Sequence, residues 1–319
     1  MIAQAGRNVA ALDAASRRSR TATRARKRRE ALTAYLLIAP AFLLFLGFIA
    51  GPLAGSFALS LFSYDLLNPA HYIGLANYRQ LLHDHLALKS LEVTFIFTAA
   101  SLVLHVIVGL ALALSVHRKM PAALRYVLRT AFFFPVLISW AVVSLIAEYT
   151  LDPNFGFVTY YLGKIGIHNV GWFTNPHTAL GAIIGVDLWH TVGFTFLVLL
   201  AGLQAIPREL YEAARVDGAG ARRTFFSITL PLLSPSLFFV SVISIIGAFQ
   251  IFEPVHIITL GGPGDSTESI VQYIYQVGFT QLQMGYAATL GLVLFFILLL
   301  VTLVQFGLSK RWVHYDLGD

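Results

Sequence analysis

Six long apolar runs joined by short polar connections limit what this chain of 319 residues can fold into. Crossing about 30 Å of hydrocarbon takes about 20 apolar residues in a helix. The runs at 34–61, 93–116, 126–151, 178–203, 232–260 and 285–308 meet that length. With 57% of residues hydrophobic and 12% charged, the chain carries about half the charged share of a soluble domain. A water-soluble fold is excluded. The first run, apolar from 35 to 61, exceeds the roughly 7–15 residues of a signal-peptide core, so it is expected to stay as a helix. The predicted class is all-α, a polytopic membrane protein with six transmembrane helices, each satisfying its own backbone in lipid.

The basic residues orient these spans. Nine of the 22 Lys and Arg fall in the first 30 residues. With the N-terminus inside, the inner segments 1–33, 117–125, 204–231 and 309–319, with Arg129 at a helix end, hold 19 of the 22. The outer side keeps only Arg79, Lys89 and Lys164. Such asymmetry is the signature of cytoplasmic loops. Both termini are therefore placed in the cytoplasm, with a basic tail over 1–33 expected to lack fixed structure, a membrane domain over 34–312 and a short tail over 313–319. The tail reads as a contact with anionic lipid. No folded reader domain follows it, so nucleic acid is not an expected partner. The chain has no cysteine, which excludes disulfides and zinc–thiolate sites. His83-Asp84-His85 offers two histidines at i,i+2 with no third ligand, weak ground for a metal site, and none is expected. Pro135 and Pro235 fall inside spans, where each removes a backbone donor and can kink its helix.

The longest inner connection, 204–231, reads as an amphipathic helix, a glycine stop at Gly218 and a second helix leading into the fifth span. Glu209, Glu212, Arg215 and Arg222 stay polar while Tyr211, Ala214 and Val216 are candidates to pack. A helical knob lying on the membrane face suits the docking of a partner. Its spacing is Glu212-Ala213-Ala214, three residues, Gly218, nine residues, Ile228-Thr229-Leu230-Pro231.

That spacing resembles the EAA loop of ABC-importer permeases. Ile73-Gly74-Leu75-Ala76-Asn77-Tyr78, Leu203-Gln204-Ala205-Ile206-Pro207 and Thr259-Leu260-Gly261-Gly262-Pro263 are similar to three segments of the carbohydrate branch, the maltose and glycerol-phosphate type, and the last is similar to the subunit encoded first of its two permeases. The resemblance spans 34–312; the Arg-rich tail departs from it. It implies the type I ABC importer permease fold in a bacterial cytoplasmic membrane. It also implies that Glu212, Ala213, Ala214, Asp217 and Gly218 couple to an ATPase: Glu212 by polar contact, the two alanines by close seating, Gly218 by turning the chain. The implied partners are a homologous second permease, a dimer of cytoplasmic ATPases, an extracytoplasmic substrate-binding protein and a sugar or polyol. ATP and Mg would be bound by the ATPase. No G-x-x-x-x-G-K-[ST] phosphate loop occurs in this chain. No cofactor and no catalytic residue is expected in it.

Ionisable groups inside a span are costly and mark candidate sites. Asp187 falls near mid-membrane in the fourth run, beside Trp189 and His190; a carboxylate with an aromatic ring suits a pyranose, which has a polar edge and apolar faces. Gln250 and Glu253, three apart in the fifth run, are expected to share a helix face, flanked by Phe249 and Phe252. These residues form the predicted solute pathway. His105, alone on an apolar run, is read as a structural hydrogen-bonding group. The turn Gly261-Gly262-Pro263-Gly264 is placed at an outer mouth. Import of glycerol phosphate or another anion is an alternative within the class. An ion-coupled secondary transporter is a more distant one, for which the docking loop has no use.

Overall fold

The structure, a computed structural model, describes residues 30–118, 120–168 and 170–314. Residues 1–29 and 315–319, which hold most of the basic tail and of the short C-terminal tail, lie outside the described residues. The chain divides into two units at Ala58 and Leu59. The helix α1, Glu30–Leu59, runs through the first unit and is broken only by a wider turn at Leu46–Ala50. It starts at Glu30, inside the region expected to be tail. Its apolar side chains, Leu37 and Phe48 among them, are exposed along its length, as a lipid-facing helix requires.

The second unit opens with a two-stranded antiparallel hairpin, β1 at Phe62–Ser63 and β2 at His71–Tyr72. The helices α2, Ala76–His83, and α3, His85–His117, follow. Asn77 in α2 donates to the carbonyls of Ser60 and Phe62 at 2.8 and 3.0 Å, which closes this loop. The third span is not one rod. α4, Ala122–Phe133, tightens into a 3-10 turn at Phe134–Leu137 and gives way to α5, Trp140–Thr150. The pair is bent by 101°. Pro135 cannot donate to the preceding turn, and Ser139 is extended. The short α6, Phe157–Lys164, precedes the fourth span, α7, Ala179–Ala205. Then come α8, Arg208–Val216, and the fifth span, α9, Ala221–Phe249. The sixth, α11, Met284–Ser309, is preceded by the short helix α10, Ile270–Tyr275. Among the described residues five helices are individually long and apolar enough to cross a membrane, or six when the bent pair is counted as one span.

The fifth span ends eleven residues before its predicted limit. Pro254 cannot give the hydrogen bond that would carry the helix through Gln250, and Gln250 leaves helical geometry. The segment 250–283 is instead a folded connection.

The most extensive packing joins α3 to α7, with α9 against both. At one end Val116, Phe196, Leu199, Leu203 and Leu233 form a core. At the other, Ala87, Phe249, Ile270, Val277 and Leu290 form a second. Gly193 in α7 lies against the Phe132 backbone of α4, and a Cβ there would overlap the Phe132 carbonyl. This close approach seats the bent span on α7.

Candidate functional site

Two places hold the residues singled out from the sequence. One is a cavity of about 260 Å³ between α3, α5, α7 and the end of α9, lined by His105, Trp140, Asp187, Thr191, Gln250 and Glu253 among others. Asp187 stands eight residues into α7, about 12 Å along its axis at 1.5 Å per residue. It is 4% exposed. His105 Nε2 lies 3.2 Å from Asp187 Oδ2 and 2.7 Å from Thr191 Oγ1. The Thr191 hydroxyl donates to the Asp187 carbonyl at 2.6 Å. A hydroxyl has one hydrogen, so His105 Nε2 must carry a hydrogen and give it to Thr191. Asp187 Oδ2 is then left beside the imidazole with no aligned donor of its own. A buried acceptor in that condition favours a ligand that brings a hydroxyl. No Lys or Arg among the described residues lines this cavity.

The cavity unites Asp187, Gln250 and Glu253 but not the other predicted pathway residues. Gln250 and Glu253 do not share a helix face, because α9 stops at Phe249; they reach the cavity from the break that follows. Phe249 is 2% exposed, buried in a core cluster and edge-on to Phe95. Trp189 sits across α7 from Asp187, since residues two apart point to different sides of a helix. It lines a separate apolar groove of about 730 Å³. His190 Nε2 donates to the Ile138 carbonyl at 2.9 Å, and its ring lies 4.0 Å from that of Trp140, so it braces the corner of the third span. The aromatic side chains that line the cavity beside His105 are Trp140 and Phe194, which no sequence neighbour pointed to. Thr191 was readable as the residue one turn after Asp187.

The other place is the connection 204–231. α8 has two faces. Tyr211 and Ala214 turn inward: Ala214 is buried and the Tyr211 hydroxyl is 3.2 Å from Thr229 Oγ1. Glu209, Glu212, Ala213 and Val216 follow helical spacing and are all exposed. Val216, a candidate to pack, is 87% exposed. The two alanines expected to seat a partner together point apart, with only Ala213 facing outward. After α8 the Asp217 amide donates to the Ala213 carbonyl at 3.0 Å and the Ala219 amide to that of Ala214 at 2.9 Å. Gly218 has φ of +73°, a conformation that favours glycine.

The connection 250–283 is closed on itself. Thr259 and Thr267 hydroxyls meet at 2.8 Å, and Thr267 donates to the Gly262 carbonyl at 2.6 Å. Ser269 donates to the Ile251 carbonyl at 2.9 Å, and Thr94 Oγ1 accepts the Ile270 amide at 2.9 Å. Asp84 caps α3 through Oδ1 and accepts the Tyr273 and Tyr286 hydroxyls on Oδ2, both at 2.6 Å. This carboxylate is occupied by protein donors, and no group of three or more metal-ligating side chains occurs among the described residues. Glu268 is buried, with Gln276 donating to it at 3.3 Å. Burial first, and the nearby Asp265 second, push its carboxyl up to about 7.

Residues 105–314 match the family described as binding-protein-dependent transport system inner membrane component. A probable ABC transporter permease protein of Bacillus subtilis is 36% identical over 279 residues, 86% of this chain and 95% of the relative. A trehalose/maltose transport system permease protein of Thermococcus litoralis is 39% identical over 76% of this chain and 82% of its own. A chain of a bacterial ABC transporter involved in the import of the acidic polysaccharide alginate superposes with a TM-score of 0.79 at 25% identity, covering 89% of this chain and 96% of that one.

Proposed function

Since the chain belongs to the family of binding-protein-dependent transport system inner membrane components, a multi-pass membrane permease, we propose that it forms half of an ATP-driven import pathway for a neutral sugar or polyol. In this reading a binding protein outside delivers the solute to a pathway shared with a homologous permease. Two cytoplasmic ATPases bind ATP and Mg and grip α8, and both termini of this chain lie in the cytoplasm. The chain contributes the pathway and the lever; bond-making chemistry belongs to the ATPases.

The observation that carries the reading is the two-faced α8. Its outward face, Glu209, Glu212, Ala213 and Val216, has no partner within this chain among the described residues, while Tyr211 and Ala214 tie its back to the membrane core. Closure of the ATPases would move α8 as a body, and the direct run from Ala221 into α9 would pass the motion to the cavity wall.

The cavity favours a neutral solute. It offers the acceptors Asp187 and Glu253 and the amide of Gln250, with no Lys or Arg among the described residues that line it. A phosphate or carboxylate there would meet like charge in a low-dielectric setting, which is costly. Hydroxyl groups would meet acceptors, and Trp140 supplies an apolar surface for a sugar face. On this ground the anionic alternative is disfavoured, although the similar alginate transporter handles an acidic polysaccharide. The test is uptake by the reconstituted transporter. Glu212→Lys is expected to insert normally and lose ATP-driven uptake, and full uptake by that variant would remove α8 as the lever. Gln250→Ala is expected to change the ranking of neutral sugars, and an unchanged ranking would take Gln250 out of the pathway.

A further inference from the structure

Behind α8, on the face opposite the one assigned to the ATPase, lies a cavity of about 660 Å³. It is closed by the end of α3, by α8 and by the start of α9. Arg118, Arg215 and His117 stand in its wall beside the apolar side chains of Leu114, Leu203 and Phe225. Arg125 and Arg208 are close enough to act electrostatically on the His117 ring. No Asp or Glu among the described residues lines this cavity. The acids of the neighbourhood, Glu209, Glu212 and Asp217, are exposed elsewhere on α8 and its end.

Among the described residues none of Arg118, Arg125, Arg208 and Arg215 forms an ion pair. Arg215 Nε donates only to the Tyr211 carbonyl at 3.3 Å, and Arg125 reaches the Met120 carbonyl at 3.5 Å while its buried Nε has no partner. Two guanidinium groups in the wall, Arg118 and Arg215, with Arg125 and Arg208 within electrostatic reach of His117, gather positive charge that an anion among them would relieve. Planar guanidinium groups match the oxygens of a phosphate in pairs. The recess also sits where the second, third and fourth spans end, and one wall is apolar. A headgroup held by the arginines would leave room for the first carbons of an acyl chain against Leu114 and Phe225.

We propose that this recess is a binding site for a phosphate-bearing anion, presented either as the headgroup of an anionic phospholipid or as a soluble phosphate. It would act as a wedge behind the lever. With the charge satisfied, Arg118 on the end of α3 and Arg215 on α8 are bridged, and α8 is held to the core by more than the Tyr211–Thr229 contact. Basic pockets between helix ends on the cytoplasmic side are the usual setting for such lipids.

The test uses the intact transporter complex in nanodiscs of phosphatidylcholine with and without phosphatidylglycerol, scored by native mass spectrometry for retained lipid. The wild type is expected to retain phosphatidylglycerol in preference to phosphatidylcholine. Arg118→Gln with Arg215→Gln should weaken that retention about thirtyfold, the effect of two arginines near a membrane surface. The pair Arg118→Lys and Arg215→Lys, which keeps the charge, should preserve most of it and serves if the glutamine variant does not assemble. A second arm titrates inorganic phosphate into the complex in phosphatidylcholine alone. Phosphate binding that depends on Arg118 and Arg215, without preference for phosphatidylglycerol, would support the site and assign it to a soluble source. Equal retention of both lipids together with no arginine-dependent phosphate binding would overturn the proposal.

Discussion

The connections on either side of the fifth span make opposite use of their polar groups. The 204–231 segment leaves a row of them outward, with Glu209 and Glu212 exposed, and is fixed to its own chain by Ile206, Ala214, Tyr211 and Thr229. The 250–283 segment turns a cluster of its polar groups inward and pairs them: Thr259 with Thr267, Ser269 with Ile251, His256 with Gln272 at 3.0 Å, Tyr273 with Asp84. A segment that satisfies its own donors and acceptors holds a shape by itself. One that does not leaves them open to water or to a partner. The first should therefore fail functionally when altered, and the second structurally.

The largest effect is expected from Asp84→Ala. It removes an N-cap and two hydroxyl donors' shared acceptor at once, and should cost about 3 kcal/mol, since bonds to a charged group are worth about 1.5–3 kcal/mol each and partial exposure reduces the sum. Thermal unfolding of the purified protein measures it; a loss near zero would erase the contrast. Burial pushes the Asp84 carboxyl up, but the hydroxyls of Tyr273 and Tyr286 and the amides of Ala87 and Leu86 more than offset it and hold the group below its ordinary value. Its contribution is therefore complete above 3.8, the ordinary value, and is lost as pH falls further through the lowered one.

Glu268 has the opposite sign. Its folded form holds a proton up to about 7, against 4.5 ordinarily, so the folded state binds more protons than the unfolded one between those values. Stability should fall as pH rises through that window. Glu268→Gln should flatten that slope in melts taken from pH 5 to pH 8, with Asp265 intact. A slope unchanged by the substitution would place the titration elsewhere.

In the other connection, Tyr211→Phe removes one hydroxyl contact and should cost about 0.5–1.5 kcal/mol. Smallest of all, Glu212→Lys should change stability by less than about 0.5 kcal/mol, as exposed substitutions do, while abolishing uptake. If it destabilised the fold as much as Asp84→Ala, the two connections would not differ in kind.

What could be read in advance follows the range of the interactions. The spans were legible because lipid imposes a length and a composition, and the knob at 204–231 because its helix, glycine stop and proline are local. The corner in the third span was half legible: Pro135 announced a weakness, but the 101° bend also needs Ser139 extended and Gly193 small enough to receive Phe132. The cavity was less so. Asp187, Gln250 and Glu253 were marked by cost alone, whereas His105 finds Thr191 across 86 residues and Asp84 finds Tyr286 across 202. Adjacency along the chain misled for Trp189, because neighbours on a helix look in different directions.

The corner also sets an order of assembly. At 1.5 Å per residue neither half of the third crossing, Ala122–Leu137 or Trp140–Thr150, reaches across 30 Å alone. The Ile138 carbonyl at the joint waits for a donor that arrives with His190, 52 residues later in synthesis. Until then the half-formed third crossing has an unmet acceptor in oil. A nascent chain stopped before His190 should leave Trp140–Thr150 accessible to water-borne labels, and one stopped after Ala205 should bury it.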